Sequence, residues 1–164
     1  ATPDRDSVLQ LAGAVREAMD YVPGVTAVSD TAAQAFSLGR GVCQDHAQVM
    51  SASCRAVGVP ARYVSGYLLT DRDEHIASHA WVDVWLADLS CWFAVDVTNG
   101  RAGGEGHCRL AVGRDYLDAC PVRGVRRGGG NETMSAHVAV SGVGVDRRSS
   151  AGPPRSVQQH QAQQ

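Results

Sequence analysis

Apolar residues recur at helical spacing in the first third of the chain and at alternating spacing afterwards. From Asp6 to Tyr21, Val8, Leu9, Leu11, Val15 and Met19 predict an amphipathic helix, which Pro23-Gly24 ends. Asp30 is placed to cap a short helix from Thr31 to Phe36, closed by Gly39. Gly41-Val42 leads into a longer helical stretch from Cys43 to Val57, with Ala47, Met50, Cys54 and Val57 along one face; Gly58 and Pro60 stop it. The period then falls to two. Arg62 to Leu69 is rich in aromatic and branched residues, and a polar loop follows from Thr70 to Ser78. His79 to Leu86 alternates cleanly, with Ala80, Val82, Val84 and Leu86 on one side. Trp92 to Val97 predicts a third strand, and the short polar link Ala87 to Cys91 predicts that the two pair as an antiparallel hairpin. Arg109 to Val112 and Met134 to Val145 are further strand candidates around a loop at Gly128-Gly129-Gly130. Helices first and strands afterwards describe one α+β domain over residues 1–145. From Asp146 the composition turns to Arg, Ser, Pro and Gln, so residues 146–164 are predicted to be a disordered tail.

The formal net charge of −2 is spread along the chain, and Arg126-Arg127 is too short to make a basic face, which argues against nucleic acid as a partner. All 15 basic residues are arginine, so the folded chain has no lysine amine through which to cross-link to itself. The five cysteines, at 43, 54, 91, 108 and 120, are odd in number and form no Cys-x-x-Cys. Cys54 and Cys91 have apolar flanks and read as core positions. Such thiols are expected reduced, in a cytoplasmic protein. No apolar run is long enough for a membrane span and no charged-then-apolar leader opens the sequence.

Cys43 stands at the start of its predicted helix, where free backbone N–H groups and the helix dipole favour a thiolate. Gly41-Val42 before it lets the chain turn sharply and lets backbone N–H groups approach a developing oxyanion. A thiolate also needs a base that can later protonate a leaving group. His79 opens a strand after a polar loop, and Asp96 lies on the next strand of the same hairpin, between Val95 and Val97, where a carboxylate requires a partner. An imidazole N–H is a natural one, and that bond fixes the tautomer. His75 is the rival base, in the loop before the strand. Asp83 also could orient an imidazole, but alternation puts it on the polar, solvated face of its strand. Asp45, in the first helical turn, is stabilised by the dipole and slightly opposes thiolate formation. Trp81 and Trp85 share a face with His79 and are the substrate-binding candidates, with packing as the other use of that face. Cys43, Asp45 and His46 are a conceivable metal set, but paired ligands at zinc-like spacing are missing, so no metal or cofactor is expected. A non-catalytic peptide-binding module is the remaining alternative.

Four ordered motifs resemble the transglutaminase-like superfamily, and in particular its bacterial branch often described as cysteine proteases. They are Gly41-Val42-Cys43-Gln44-Asp45, the run from Gly58 to Tyr67, His79-Ala80-Trp81-Val82-Asp83-Val84, and Asp96-Val97-Thr98-Asn99-Gly100. The likeness continues through Val112 to Tyr116 and Pro121 to Gly124, and covers most of residues 20–135. It implies a Cys43, His79 and Asp96 triad on a papain-like α+β core, with N-terminal helices packed on an antiparallel sheet. It also implies acyl transfer from glutamine carboxamides or peptide bonds through a thioester, on a protein or peptide substrate. The same triad serves a peptidase or amidase. Val97 stands where the family more often has proline, which should alter the turn more than the chemistry. Members of this branch commonly carry a β-rich region upstream, so the expectation is the catalytic half of a longer protein.

Overall fold

A computed structural model describes residues 2–69, 78–120 and 128, and the backbone of the strands Met134–Val138 and Val157–Gln161. Helix α1, Arg5–Ala18, is started by Asp4, whose carboxylate accepts from the Ser7 N–H at 2.8 Å while the Ser7 hydroxyl accepts from the Asp4 N–H. It buries Val8, Ala12 and Val15, and Met19 directly after it. Strand β1, Asp20–Tyr21, pairs in parallel with a strand that lies beyond helix α2, Ala32–Leu38. Thr31, not the expected Asp30, caps α2 through a reciprocal pair with Gln34; the Asp30 carboxylate instead accepts from the Ala27 N–H at 2.8 Å. Gly39 closes α2 in the left-handed region at φ 65°, which sends the chain into β2, Arg40–Gly41. The β1–β2 clip thus holds the segment just before Cys43 against the end of α1.

Helix α3, Cys43–Ala56, buries Ala47, Val49, Met50 and Cys54. It packs on a five-stranded antiparallel sheet made of β3 (Ala61–Leu68), β4 (Ser78–Leu86), β5 (Cys91–Asp96), β6 (Arg101–Ala102) and β7 (His107–Gly113). The spatial order is β6-β5-β4-β3-β7. Ala80, Val82, Val84 and Leu86 point to the helices as the alternation predicts, and meet Val8, Val15, Met50, Tyr63 and Val95 in one core. Each fully buried valine or leucine there contributes roughly 1.5–3 kcal/mol, far more than helix propensity, so this seam fixes where the start of α3 sits. Among the described residues no helix is long and apolar enough to cross a membrane.

The opposite face of β4 carries His79, Trp81, Asp83 and Trp85, and it is not a solvated face. Asp83 is 0% exposed. Arg62 of β3 approaches it at 3.0 Å and Arg109 of β7 at 2.7 Å, and Arg62 also stacks on the Trp92 ring at 4.1 Å. Alternation reports which face a residue occupies; the two guanidiniums that cover it come from distant strands. Gly66, at a register shift between β3 and β7, leaves room that a Cβ would deny to the Cys108 carbonyl and the Trp81 ring. Strand β8, Met134–Val138, pairs antiparallel with β9, Val157–Gln161.

Candidate active site

Cys43 is the first residue of α3 and is half-buried, and backbone N–H groups in a first helical turn have no acceptor within the helix. The turn itself is held by Asp45, whose Oδ2 accepts from the Val42 N–H at 2.8 Å and from the Thr26 hydroxyl at 2.7 Å. Asp45 Oδ1 is buried with no hydrogen-bond partner. Gly41 is required here for space: a Cβ would lie 2.6 Å from both Asp45 Cβ and Asp45 Oδ2. Gly41→Ala is therefore expected to push Asp45 off its donors and cost about 1–3 kcal/mol. A urea midpoint equal to that of the unaltered chain would contradict this account.

The Cys43 sulfur lies 3.9 Å from the carbonyl oxygen of Ser78, the residue before His79. The His79 ring hydrogen-bonds through Nε2 at 2.8 Å to Asp96 Oδ2, and the Cys43 side chain is near enough to act on its charge. Register explains the contact with Asp96. Val82 is opposite Val95, so Asp96 is opposite Trp81 and one diagonal step from His79. Burial pulls the His79 pKa down, but the bond to Asp96 and the nearby Cys43 outweigh it and raise the value to about 9.

Asp96 is 0% exposed and collects four donor bonds. Oδ2 accepts from His79 Nε2, from Asn99 Nδ2 at 2.7 Å and from His107 Nε2 at 3.0 Å; Oδ1 accepts from the Asn99 N–H at 3.2 Å. Burial pushes this carboxyl up, yet the donors, His79 first among them, hold it well below the usual carboxylate range. The turn after Asp96 is tied to α3. His46 donates from Nε2 to the Met19 carbonyl at 3.0 Å, so its Nδ1 accepts from the Thr98 hydroxyl at 3.0 Å. Val97, in place of proline, is buried in the core, and its carbonyl accepts from the Gly100 N–H to close the turn.

The structure thus brings together Cys43, His79 and Asp96, and adds His107, Asn99 and Thr98, which the spacing alone did not single out, and His46, which the sequence offered only as a metal ligand. Trp81 is 1% exposed and presents no surface to a substrate; its ring meets His107 edge-on at 5.1 Å and lies 6.2 Å from His79. Trp85, six residues along the strand from His79, packs on Trp92 at 5.3 Å. Packing is the use of that face seen here for both. His75 lies outside the described residues. A cavity of about 370 Å³ lined by Asp4, Arg5, Asp6, Leu86, Asp88 and Leu89 sits at the other end of β4 and holds no thiol.

One donor group within 4.8 Å, His79, Asp96 and His107, has a metal-like composition. Its bonding does not fit a metal. The Gly104 N–H donates to His107 Nδ1 at 3.3 Å, so the proton of that ring sits on Nε2, facing Asp96 rather than an ion, and Asn99 already occupies the same carboxylate oxygen. Asp45 and His46 likewise face Thr26, Val42, Met19 and Thr98 rather than a common point with Cys43.

The sequence description of the transglutaminase-like superfamily matches residues 1–97, more than half of the chain. The chain belongs to the transglutaminase-like superfamily. An uncharacterized protein of Mycobacterium leprae (strain TN) is 36% identical over 143 residues, covering 84% of this chain and 50% of that protein. Among solved structures, a candidate cysteine protease from Cytophaga hutchinsonii is 28% identical with a TM-score of 0.64, over 71% of this chain and 39% of that one. Legionella pneumophila LapG shares the fold at 17% identity and a TM-score of 0.53, over 67% of this chain and 65% of its own. The chain spans about half of the mycobacterial relative and less of the Cytophaga protein. In this superfamily member, α1 and α3 lie on the antiparallel sheet as the resemblance implied.

Proposed function

We propose that this chain carries out thiol-dependent acyl transfer, with Cys43 as nucleophile, His79 as its acid-base partner and Asp96 orienting the imidazole. The observation that carries the reading is the buried His79–Asp96 hydrogen bond at 2.8 Å, with the Cys43 sulfur 3.9 Å from the carbonyl oxygen of Ser78, the residue before His79. Cys43 hands its proton to His79 Nδ1, and the sulfur attacks the carbonyl of a glutamine carboxamide or a peptide bond. The tetrahedral oxyanion takes hydrogen bonds from backbone N–H groups at the start of α3, that of Cys43 included. When the intermediate collapses the C–N bond breaks, His79 gives the proton to the departing amine, and a thioester on Cys43 remains. Water or a second amine, deprotonated by His79, then releases the acyl group and restores the thiol. Asp96 stays ionised throughout and stabilises the imidazolium.

Hydrolysis is the second reading, favoured by the likeness to the Cytophaga candidate cysteine protease. The substrate in either case is a protein or peptide in an extended approach to the half-buried sulfur. The free thiols of Cys43, Cys54, Cys91 and Cys108 fit a reducing cytoplasm. Incubating the chain with a glutamine-containing peptide library, with and without a primary amine, separates the outcomes. Ammonia release with amine incorporation is expected for a transglutaminase, and backbone cleavage for a peptidase. Neither product, with no thioester adduct on Cys43 by intact mass, would leave a peptide-binding module.

A further inference from the structure

Strands β6 and β7 follow one another in sequence but lie at opposite edges of the sheet. Residues 103–106 therefore carry the chain across the sheet from one edge to the other. The crossing lies on the face that carries Asp96: a Cβ on Gly103 would stand 2.7 Å from the Ala94 Cβ, and Ala94 shares a strand face with Asp96. Bonds pin the strap at several points. The Gly103 N–H donates to the Ala94 carbonyl at 2.8 Å, the Leu69 N–H to the Gly106 carbonyl at 2.7 Å, and the His107 N–H to the Gly104 carbonyl at 3.1 Å. Gly106 takes φ 93°, open to glycine and strained for other residues. The strap delivers His107 against the edge of the Trp81 ring, with its Nε2 at 3.0 Å from Asp96 Oδ2.

We propose that His107 is a positioning residue for the triad: its Nε2–H, presented by the glycine strap, holds the Asp96 carboxylate in the orientation that receives His79. The proposal rests on the acyl-transfer reading above. Its geometry has two parts. The Gly104 N–H on Nδ1 selects the Nε2–H tautomer, so the ring can only donate toward Asp96. Trp81, buried beneath both imidazoles, blocks the rotation that would carry the His107 ring away. Without His107 the carboxylate keeps Asn99, a neighbour three residues away that moves with the same turn, but loses its one anchor on the far side of the sheet. The other titratable groups on the elements around this carboxylate include Cys43 and His46 from α3, His79 from β4 and Arg101, opposite Asp96 on β6.

The test uses iodoacetamide as the probe of Cys43, followed from pH 5 to 9 in the unaltered chain and in the His79→Ala, His107→Ala and His107→Gln variants, with Cys43→Ala as the blank. The imidazolium that pairs with the thiolate depends on a correctly aimed Asp96. His107→Ala is therefore expected to slow alkylation near pH 6 by roughly 100-fold, the size of effect that small misplacements produce. His107→Gln, whose amide can still donate to Asp96, is expected to recover at least tenfold of it. If the unaltered chain and His79→Ala give the same profile, the triad reading itself fails and takes this proposal with it. If they differ while His107→Ala matches the unaltered chain, His107 alone is overturned. Should His107→Ala not fold, nitrogen NMR of the unaltered chain decides: a persistent Nε2–H tautomer at His107 supports the proposal, and an Nδ1–H tautomer overturns it.

Discussion

Cys43→Ala is expected to remove turnover by roughly 10⁴–10⁶-fold, because Cys43 is the thiol that acts on the His79 imidazole. That range corresponds to about 5–8 kcal/mol of barrier. Cys54 cannot substitute: it is buried in the core, and burial pushes its thiol up to about 11. The loss should be one of chemistry rather than folding, since Cys43 is only partly buried at the edge of the packed seam. A second signature follows from the pair. The proximity of Cys43 is among the influences that raise His79, so the variant's imidazole should titrate at lower pH than in the unaltered chain. Steady-state turnover with the peptide substrate found in the library assay, together with histidine titration by NMR, checks both parts. Residual turnover above a hundredth of the original would place the nucleophile elsewhere.

Asp96→Asn is the second large effect, and it acts on both activity and stability. Both carboxylate oxygens accept from N–H donors, so an amide NH₂ group put at either position faces a donor. A loss of roughly 10⁴-fold in kcat is expected from the misdirected imidazole. The pH dependence has a definite sign. His79 is raised from 6.5 to about 9 in the folded chain, so its contribution is fully present below pH 6.5 and is lost as pH climbs through about 9. The size is on the order of 3 kcal/mol for this nearly buried ring. Asp96 is lowered from 3.8, so its contribution is present above that value and is lost as pH falls below it. Urea midpoints of the unaltered chain should therefore decline between about pH 6.5 and 9, and again in acid. In Asp96→Asn the alkaline decline should flatten, and the alkaline limb of activity should move toward the ordinary histidine range. Parallel stability curves for the two proteins would contradict the His79–Asp96 linkage.

The sequence made much of this arrangement legible, for reasons that also mark where it stopped. The apolar rows of α1 and α3 and the alternation of β4 are periodic over many residues, so both helices and the central hairpin could be read directly. His79 and Asp96 sit on strands joined by a short turn, and that proximity along the chain made their meeting predictable. Alternation alone puts Asp83 on a solvated face, because it carries no information about Arg62 and Arg109, which close over it from other strands. His107 depends on β7 returning beside β3, with Leu68 opposite His107, a pairing that leaves no local pattern. The two-residue strands β1 and β2 are too short to show any period, yet they hold the approach to Cys43. Asn99 stood inside a recognised motif, but only coordinates reveal that its amide serves Asp96.

The turn between β4 and β5 has a further consequence. Leu86 is opposite Cys91, and residues 87–90 between them, with Ser90 in the left-handed region at φ 49°, set the count by which Asp96 comes to lie beside His79. One inserted residue that slid β5 along its neighbour would exchange its two faces, sending Asp96 into the apolar seam and Val95 toward the imidazole. Loop length in this hairpin therefore sets which side chains of β5 face His79.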